Sequence, residues 1–184
     1  MARMRSRVRL LLGIIAAAVA LIAGLAATEA FGTVKAPPFE RVAALSLPDR
    51  GGTVHPIDTG VVAGRPTIVS LWATWCVPCR VEAAALAALR HDPSQPPFNL
   101  IYINVDQKLN PADANRFLDA AGARDFDYFV GGERSFRSIT GALLIALPRV
   151  YVYDAMRKPT AVFTGFSGDG PQGQLRRALA AARG

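Results

Sequence analysis

Residues 72–80 read Trp-Ala-Thr-Trp-Cys-Val-Pro-Cys-Arg and contain both cysteines of the chain, Cys76 and Cys79. An apolar, β-branched run, 67–72, leads into this stretch, and an alanine-rich helical run, 78–89, leads out of it. A cysteine between a strand and a helix lies where unpaired backbone N–H groups and the helix dipole stabilise a thiolate. We therefore expect Cys76 to be a nucleophile and Cys79 to resolve its mixed disulfides. The spacing predicts thiol-disulfide exchange.

Three other uses of a close cysteine pair are weaker. A zinc site needs four ligands, and the remaining candidates, His55 and His91, are isolated in the sequence. Covalent haem attachment needs a histidine directly after the second cysteine, where this chain has Arg80. A purely structural disulfide stays open as an alternative, although so short a loop constrains the unfolded chain little.

The run 72–80, followed by Glu82, resembles the active site of the thioredoxin superfamily and, more narrowly, of the membrane-tethered TlpA/ResA-like thiol-disulfide oxidoreductases. The resemblance extends over about 36–184. It implies an α/β thioredoxin fold, with a central mixed β-sheet flanked by helices and an N-terminal β-hairpin extension. It also implies that the redox-active disulfide is the only redox group, with no other cofactor and no metal.

Glu82 lies three residues after Cys79, on the same helical face one turn on. The resemblance implies that a glutamate here moves the protons of the two cysteines, and partial burial would raise its pKa. A solvated surface glutamate is the alternative. Ser70 stands where ordinary thioredoxins carry a buried aspartate, so Glu82 would be the only carboxylate near the dithiol.

Pro148 stands directly before an apolar run and matches the position at which the family carries a cis-proline facing the cysteines. Such a proline leaves adjacent backbone free to pair with an extended substrate, whereas the residues alone favour a trans bond. Arg149 follows where threonine is frequent in the family. It either leans toward Cys76, favouring the thiolate and attracting an acidic substrate segment, or points to solvent. Trp75 is predicted to border the substrate-contact surface, and Trp72 to lie in the core.

The flanking elements are predicted from hydrophobic periodicity and turn residues. The helix after the cysteines should bury Val81, Leu86 and Leu89, and the strand-helix-strand order predicts a parallel pair with a right-handed crossover. The predicted segments are a hairpin of strands 42–45 and 53–57, strand 67–72, helix 78–89, strand 99–106, helices 111–121 and 133–140, strand 147–153, strand 161–166 and a closing helix 172–183.

The N-terminal run 10–27 is apolar and uncharged, and four arginines precede it. Its length falls between a secretory signal core and a membrane-spanning helix. We favour an uncleaved anchor on the positive-inside argument, with a cleaved signal as the alternative. The predicted organisation is an anchor or signal over 1–30, a linker over 31–38 and a thioredoxin-like domain over 39–184. Either outcome exports the domain, so we expect a bacterial inner-membrane protein whose domain lies in the periplasm.

Charge adds a weaker constraint on partners. The formal net charge of the 184 residues is +7, and setting aside the N-terminal arginines and Glu29 leaves 17 basic and 13 acidic residues. This mild excess could attract acidic partners. We find no basic run interleaved with aromatic residues of the kind that binds nucleic acid, so none is expected as a partner.

The resemblance implies the reducing direction, with a membrane electron donor regenerating the dithiol. It also implies substrate proteins with disulfides, of the cytochrome c maturation or copper-site assembly type. Two alternatives remain open. The first is an oxidase or isomerase that introduces disulfides. The second is a non-catalytic thioredoxin-like module that binds a partner or carries a metal.

Overall fold

The structure is a computed structural model that describes Ile14, residues 35–166, Gly168 and residues 170–183. The folded unit begins at Lys35. Apart from Ile14, the predicted anchor 10–27 lies outside the described residues. Among those that are described, no helix is long and apolar enough to cross a membrane.

Seven strands and five helices make up the described part of the folded unit. In chain order they are α1 (Phe39–Ala43), β1 (Ser46–Pro48), β2 (Val54–Pro56), β3 (Thr67–Trp72), α2 (Val77–His91), β4 (Asn99–Asn104), α3 (Pro111–Ala120), β5 (Phe129–Val130), α4 (Gly132–Thr140), β6 (Arg149–Tyr153), β7 (Pro159–Thr164) and α5 (Gly170–Ala181).

The central sheet has the strand order β5-β4-β3-β6-β7. β4 lies parallel to β3 and β5, whereas β6 is antiparallel to both β3 and β7. Every residue of β3 is buried, as expected for the middle strand of a sheet covered on both faces. This mixed sheet flanked by helices is the thioredoxin-like α/β fold that the sequence predicts. We call the end at which β3, β4 and β5 finish and β6 begins the carboxyl end of the sheet.

An aromatic cluster packs α3 against the sheet. The ring of Trp72 stacks on Tyr102, with centroids 4.9 Å apart, and on Phe117 of α3 at 4.7 Å. Tyr128 meets the same indole edge-on at 5.6 Å. Each such pair adds about 0.5–1.5 kcal/mol beyond the area it buries. The predicted core position of Trp72 is therefore confirmed.

The N-terminal hairpin is present, but its first strand starts later than predicted. Ser46 pairs with Pro56 in the antiparallel β1-β2 hairpin. The prediction of a strand over 42–45 is wrong, because Val42 belongs to α1. Phe39 and Val42 are both buried. Residues three apart share one face of a helix, whereas in a strand they point to opposite faces.

The buried face of α2 also differs from the prediction. Leu86 and Leu89 are buried as expected, but Val81 is 55% exposed. Cys79 and Glu82 lie on the buried face instead. The alanine-rich sequence left the rotation of this helix open. The prediction failed because it gave an apolar valine preference over a glutamate for the buried side.

Candidate active site

Cys76 is the N-cap of α2, directly beyond the C-terminal end of β3. The amide N–H of Cys79 donates a hydrogen bond to Cys76 Sγ over 3.2 Å. Pro78 occupies the start of the helix, where its missing N–H costs nothing, and the first turn contains no acidic residue. The sulfur of Cys76 thus receives an amide donor and the positive end of the helix dipole, both of which favour a thiolate.

The two sulfurs form a disulfide, and they differ in accessibility. The Cys76–Cys79 pair has its Cα atoms 5.3 Å apart. Cys76 is 4% exposed, whereas Cys79 is fully buried. On either side of Cys76, Trp75 is 62% exposed and Val77 is 66% exposed. A second molecule can therefore reach only Cys76, through an opening bordered by these two apolar side chains.

Glu82 lies in the protein interior, one helical turn beyond Cys79. The hydroxyl of Ser70, on β3, donates a hydrogen bond of 2.7 Å to Glu82 Oε1. Oε2 is buried and has no hydrogen-bond partner in the described part of the chain. Burial raises the pKa of Glu82 to about 8, and the bond from Ser70 offsets part of that rise. Glu82 is fully buried, so the alternative of a solvated surface glutamate is wrong.

The surroundings of Glu82 are apolar and aromatic. Tyr102 pairs with Ser70 across β3 and β4, so the two side chains share the sheet face that α2 covers. Burial raises the pKa of Tyr102, and the negative charge of Glu82 raises it further. The Glu82 carboxyl therefore lies in a region of low polarity where ionisation is disfavoured.

A second polar group, which the sequence patterns do not predict, fixes the loop before the cysteines. Asp106 Oδ2 accepts a hydrogen bond of 3.1 Å from the amide of Thr74 and one of 2.9 Å from Asn104 Nδ2. The amide of Asp106 in turn donates to Asn104 Oδ1 over 3.0 Å. The sequence carries one usable signal: Asn104 ends the strand next to β3 and Asp106 follows it by two residues, so both lie at the carboxyl end of the sheet.

The peptide bond between Leu147 and Pro148 is cis, as the resemblance implies. β6 begins at the next residue, Arg149, which pairs with Leu71 of β3. Extending that register by one residue places Pro148 beside Trp72, at the strand end that leads to the cysteines. Pro148 thus lies at the same end of the sheet as Cys76.

Arg149 is buried, with 5% of its surface exposed, so the interpretation in which it points to solvent is wrong. Paired residues of a sheet project to the same face, so Arg149 shares a face with Leu71, opposite the face of Ser70 and Glu82. The charge of Arg149 lowers the pKa of Tyr151, although burial outweighs it and raises that pKa. The approach of Arg149 to Cys76 stays a prediction.

The two histidines have acidic partners of their own. His55 Nε2 lies 3.2 Å from Asp49 Oδ2, and His91 Nε2 lies 3.4 Å from Asp125 Oδ2. Within the described ranges, no group of three or more histidine, cysteine, aspartate or glutamate side chains is placed to hold a metal ion.

The fold and the helix-capping cysteine pair together define a thioredoxin-like thiol-disulfide oxidoreductase. A family model described as Redoxin matches residues 33–179, and the chain belongs to this family.

Known proteins with similar sequences include thioredoxins and a thiol:disulfide interchange protein. A thioredoxin of Streptomyces clavuligerus is 33% identical over 78 residues, which make up 42% of this chain and 67% of that protein. The thiol:disulfide interchange protein HelX of Rhodobacter capsulatus is 31% identical over 80 residues, or 44% of this chain. The match spans 42% of HelX, less than half of its length.

Among solved structures, a secreted Mycobacterium tuberculosis disulfide oxidoreductase homologous to E. coli DsbE superposes with a TM-score of 0.58. The superposition covers 77% of this chain and 98% of that one, at 15% sequence identity. This likeness shows the shared fold. The predicted class of enzyme is confirmed by the family and by the cysteine pair.

Proposed function

We propose that this protein reduces the disulfides of exported proteins. The observation that carries the proposal is the pairing of an accessible, helix-capping Cys76 with a fully buried Cys79 whose neighbour one turn on is the buried Glu82. Burial disfavours a negative charge on Cys79, and an ionised Glu82 one turn on disfavours it further. A dithiol whose thiolate is disfavoured in this way gives up its electrons more readily, which supports the reducing direction.

The reaction is a pair of exchanges that conserve electrons and protons. The thiolate of Cys76 attacks one sulfur of the substrate disulfide, which forms a mixed disulfide and releases the other substrate sulfur as a thiolate. Cys79 loses its proton and attacks Cys76 Sγ, which expels the second substrate sulfur. Two electrons have then passed from the dithiol to the substrate, whose two thiolates take protons from water, and this protein holds the disulfide.

We assign Glu82 the role of accepting the proton that Cys79 loses. With a pKa of about 8, its carboxyl is mostly protonated near neutral pH. As the pH rises, a larger fraction of the protein has Glu82 ionised and therefore able to accept a proton. Ser70 positions the carboxyl through Oε1, which leaves Oε2 free of other hydrogen bonds among the described residues. We propose that Oε2 is the atom that takes the proton and returns it when the disulfide is reduced again. Pro148 and Trp75 are assigned to substrate contact.

The location and the partners are part of the same proposal. The apolar run 10–27 behind four arginines supports an inner-membrane anchor with the domain in the periplasm. Because that compartment is oxidising, a membrane electron donor must regenerate the dithiol. The resemblance to TlpA/ResA-like proteins supports substrates of the apocytochrome c or copper-site type.

The reduction potential of the Cys76/Cys79 couple tests the direction. We would equilibrate the full chain in detergent against dithiothreitol or glutathione and count free thiols. A value near or below about −270 mV, that of thioredoxin, is expected for a reductant. A value near about −120 mV would contradict it and favour disulfide introduction, the alternative that the helix-capping position of Cys76 favours because it stabilises the reduced form.

A trapping experiment tests whether the protein is catalytic at all. In a Cys79→Ser variant the second exchange is blocked, so mixed disulfides between Cys76 and substrate proteins should accumulate. They should disappear on adding dithiothreitol and be absent from a Cys76→Ser control. A non-catalytic binding module would instead keep its partners through reduction.

A further inference from the structure

We propose that the cleft beside Cys76 holds an acidic side chain of the substrate protein, one that lies within a few residues of the substrate cysteine. This inference rests on the proposed function and specifies the substrate class of the same site. The carboxylate of that acidic residue would pair with Arg80.

The cleft lies between the start of α2 and the helix α3, and its volume is about 400 Å³. Trp75 forms one wall, so the cleft begins at the residue next to the nucleophile. Its lining comprises Thr74, Trp75, Arg80, Asp113, Arg116, Phe117 and Ala120. A substrate held by a sulfur bond to Cys76 must place neighbouring residues over Trp75, and hence at the mouth of this cleft.

The charges within the cleft leave one cation unbalanced. Asp113 and Arg116, one turn apart on α3, form an ion pair with each other. Arg80 is exposed, and its guanidinium lies 5.7 Å from the centroid of the Phe117 ring. No carboxylate in the described part of the chain pairs with Arg80. The cleft therefore combines aromatic walls with a positioned, unpaired guanidinium, which suits the methylene stem and carboxylate of a glutamate or aspartate.

Away from the cleft, the exposed charges without a partner at the carboxyl end of the sheet have the same sign, and the carboxylate of Asp106 at this end is buried. Lys108, after β4, and Arg134, in the first turn of α4, are exposed and have no acidic partner among the described side chains. Glu133 is the partly exposed acid beside Arg134, and its charge is already balanced by an ion pair with Arg137. Acidic substrates would therefore be attracted toward Cys76 before contact.

Two disulfide peptides would test this inference. They differ only in having glutamate or glutamine beside each cysteine, and each is mixed with fully reduced wild-type protein. At an ionic strength of about 0.01 M we expect the glutamate peptide to be reduced about two- to fivefold faster, and the difference to vanish at about 1 M salt. Equal rates at low salt would overturn the acidic preference while leaving the proposed function intact. If neither peptide is reduced, the proposed function itself fails, and this inference fails with it.

Variants locate the preference in the cleft. Arg80→Gln should lose the preference for the glutamate peptide, and Arg80→Lys should keep most of it. Arg90→Gln is the matched control. Arg90 lies on the same helix, is exposed, and stands over a ring at a similar distance, 5.5 Å from the centroid of Phe126, but at the end far from Cys76. A preference that survives in Arg80→Gln, or that Arg90→Gln removes to the same extent, would overturn the assignment to this cleft.

Discussion

The hydroxyl of Ser70 donates a 2.7 Å hydrogen bond to Glu82 Oε1, and both side chains are fully buried. This bond joins the middle strand of the sheet to the helix that carries the cysteines. It satisfies one oxygen of the carboxyl and lowers the pKa, while burial raises it. The balance of the two places the titration of Glu82 at about pH 8.

The first prediction concerns stability as a function of pH. The pKa of Glu82 rises from 4.5 to about 8 on folding, so between these values the native protein keeps a proton that the unfolded chain has lost. The free energy of unfolding therefore falls as the pH rises through this window. Glu82→Gln cannot ionise and should be more stable than the wild type at pH above 8, by on the order of a few kcal/mol.

Urea unfolding of the oxidised protein across this pH range measures the effect. The control is Glu133→Gln, which removes an acid at the surface that is paired with Arg137. It should change the free energy of unfolding by less than about 1 kcal/mol at every pH. A Glu82→Gln profile parallel to that of the wild type would show that Glu82 does not bind this proton.

The second prediction concerns Ser70. Without its hydroxyl, the carboxyl loses the one hydrogen bond that lowers its pKa, so Ser70→Ala should shift the titration of Glu82 to higher pH. The rate of the second exchange, followed by release of the substrate thiol from a preformed mixed disulfide on Cys76, should reach its half-maximum at a correspondingly higher pH. Ser138→Ala, an exposed serine on α4, serves as the control. An unchanged inflection would separate Ser70 from the proton transfer.

The third prediction concerns the loop that precedes the cysteines. Asp106→Ala removes the acceptor for the amide of Thr74 and for Asn104 Nδ2. Leaving these donors without a partner should cost about 1–3 kcal/mol in the free energy of unfolding. Because Thr74 lies two residues from Cys76, substrate reduction should slow as well, which a stopped-flow assay with a disulfide peptide would measure. Wild-type stability in this variant would rule out the supporting role of Asp106.

The fourth prediction uses a close contact at Gly131. A Cβ atom here would lie 2.7 Å from Ser135 Cβ and 2.9 Å from Ile103 Cγ2, distances that packed atoms do not tolerate. Gly131→Ala should therefore destabilise the protein by about 1–3 kcal/mol, because β4 and α4 must move apart.

The matched control is Gly51→Ala, where the nearest atom is the exposed Asp49 Oδ1 at 3.3 Å. It should alter the thermal midpoint far less than Gly131→Ala. Equal midpoints for the two variants would show that the backbone near Gly131 shifts at little cost.

Much of the fold could be predicted from the sequence, because the local patterns of single elements agree with the order in which those elements pack. β3 has the predicted bounds, Thr67–Trp72, since a β-branched run between turn residues leaves few alternatives. α3 begins at Pro111 as predicted and ends one residue earlier, at Ala120. The strand-helix-strand order around Cys76 and Cys79 then fixes a parallel pair and places the cysteines at the carboxyl end of the sheet.

The remaining features depend on contacts between distant segments. No pattern in the neighbouring sequence predicts the hydrogen bond between Ser70 and Glu82, because the rotation of an alanine-rich helix about its axis is set by what the helix packs against. Arg149 is buried because it begins a strand covered on both sides, which depends on sheet order. The cis bond at Pro148 followed from the resemblance alone.

If the protein reduces disulfides as proposed, the accessibility of its two sulfurs determines which folding states of a substrate protein can react. Cys76 is 4% exposed and lies between the exposed side chains of Trp75 and Val77. A substrate sulfur can therefore reach it only if that sulfur is itself exposed on the substrate. A cystine packed inside a finished domain cannot do so, whereas one on an extended or unfinished chain can. In the proposed reductase, the low exposure of Cys76 therefore favours reaction with a substrate before it folds over reaction after its disulfides are enclosed.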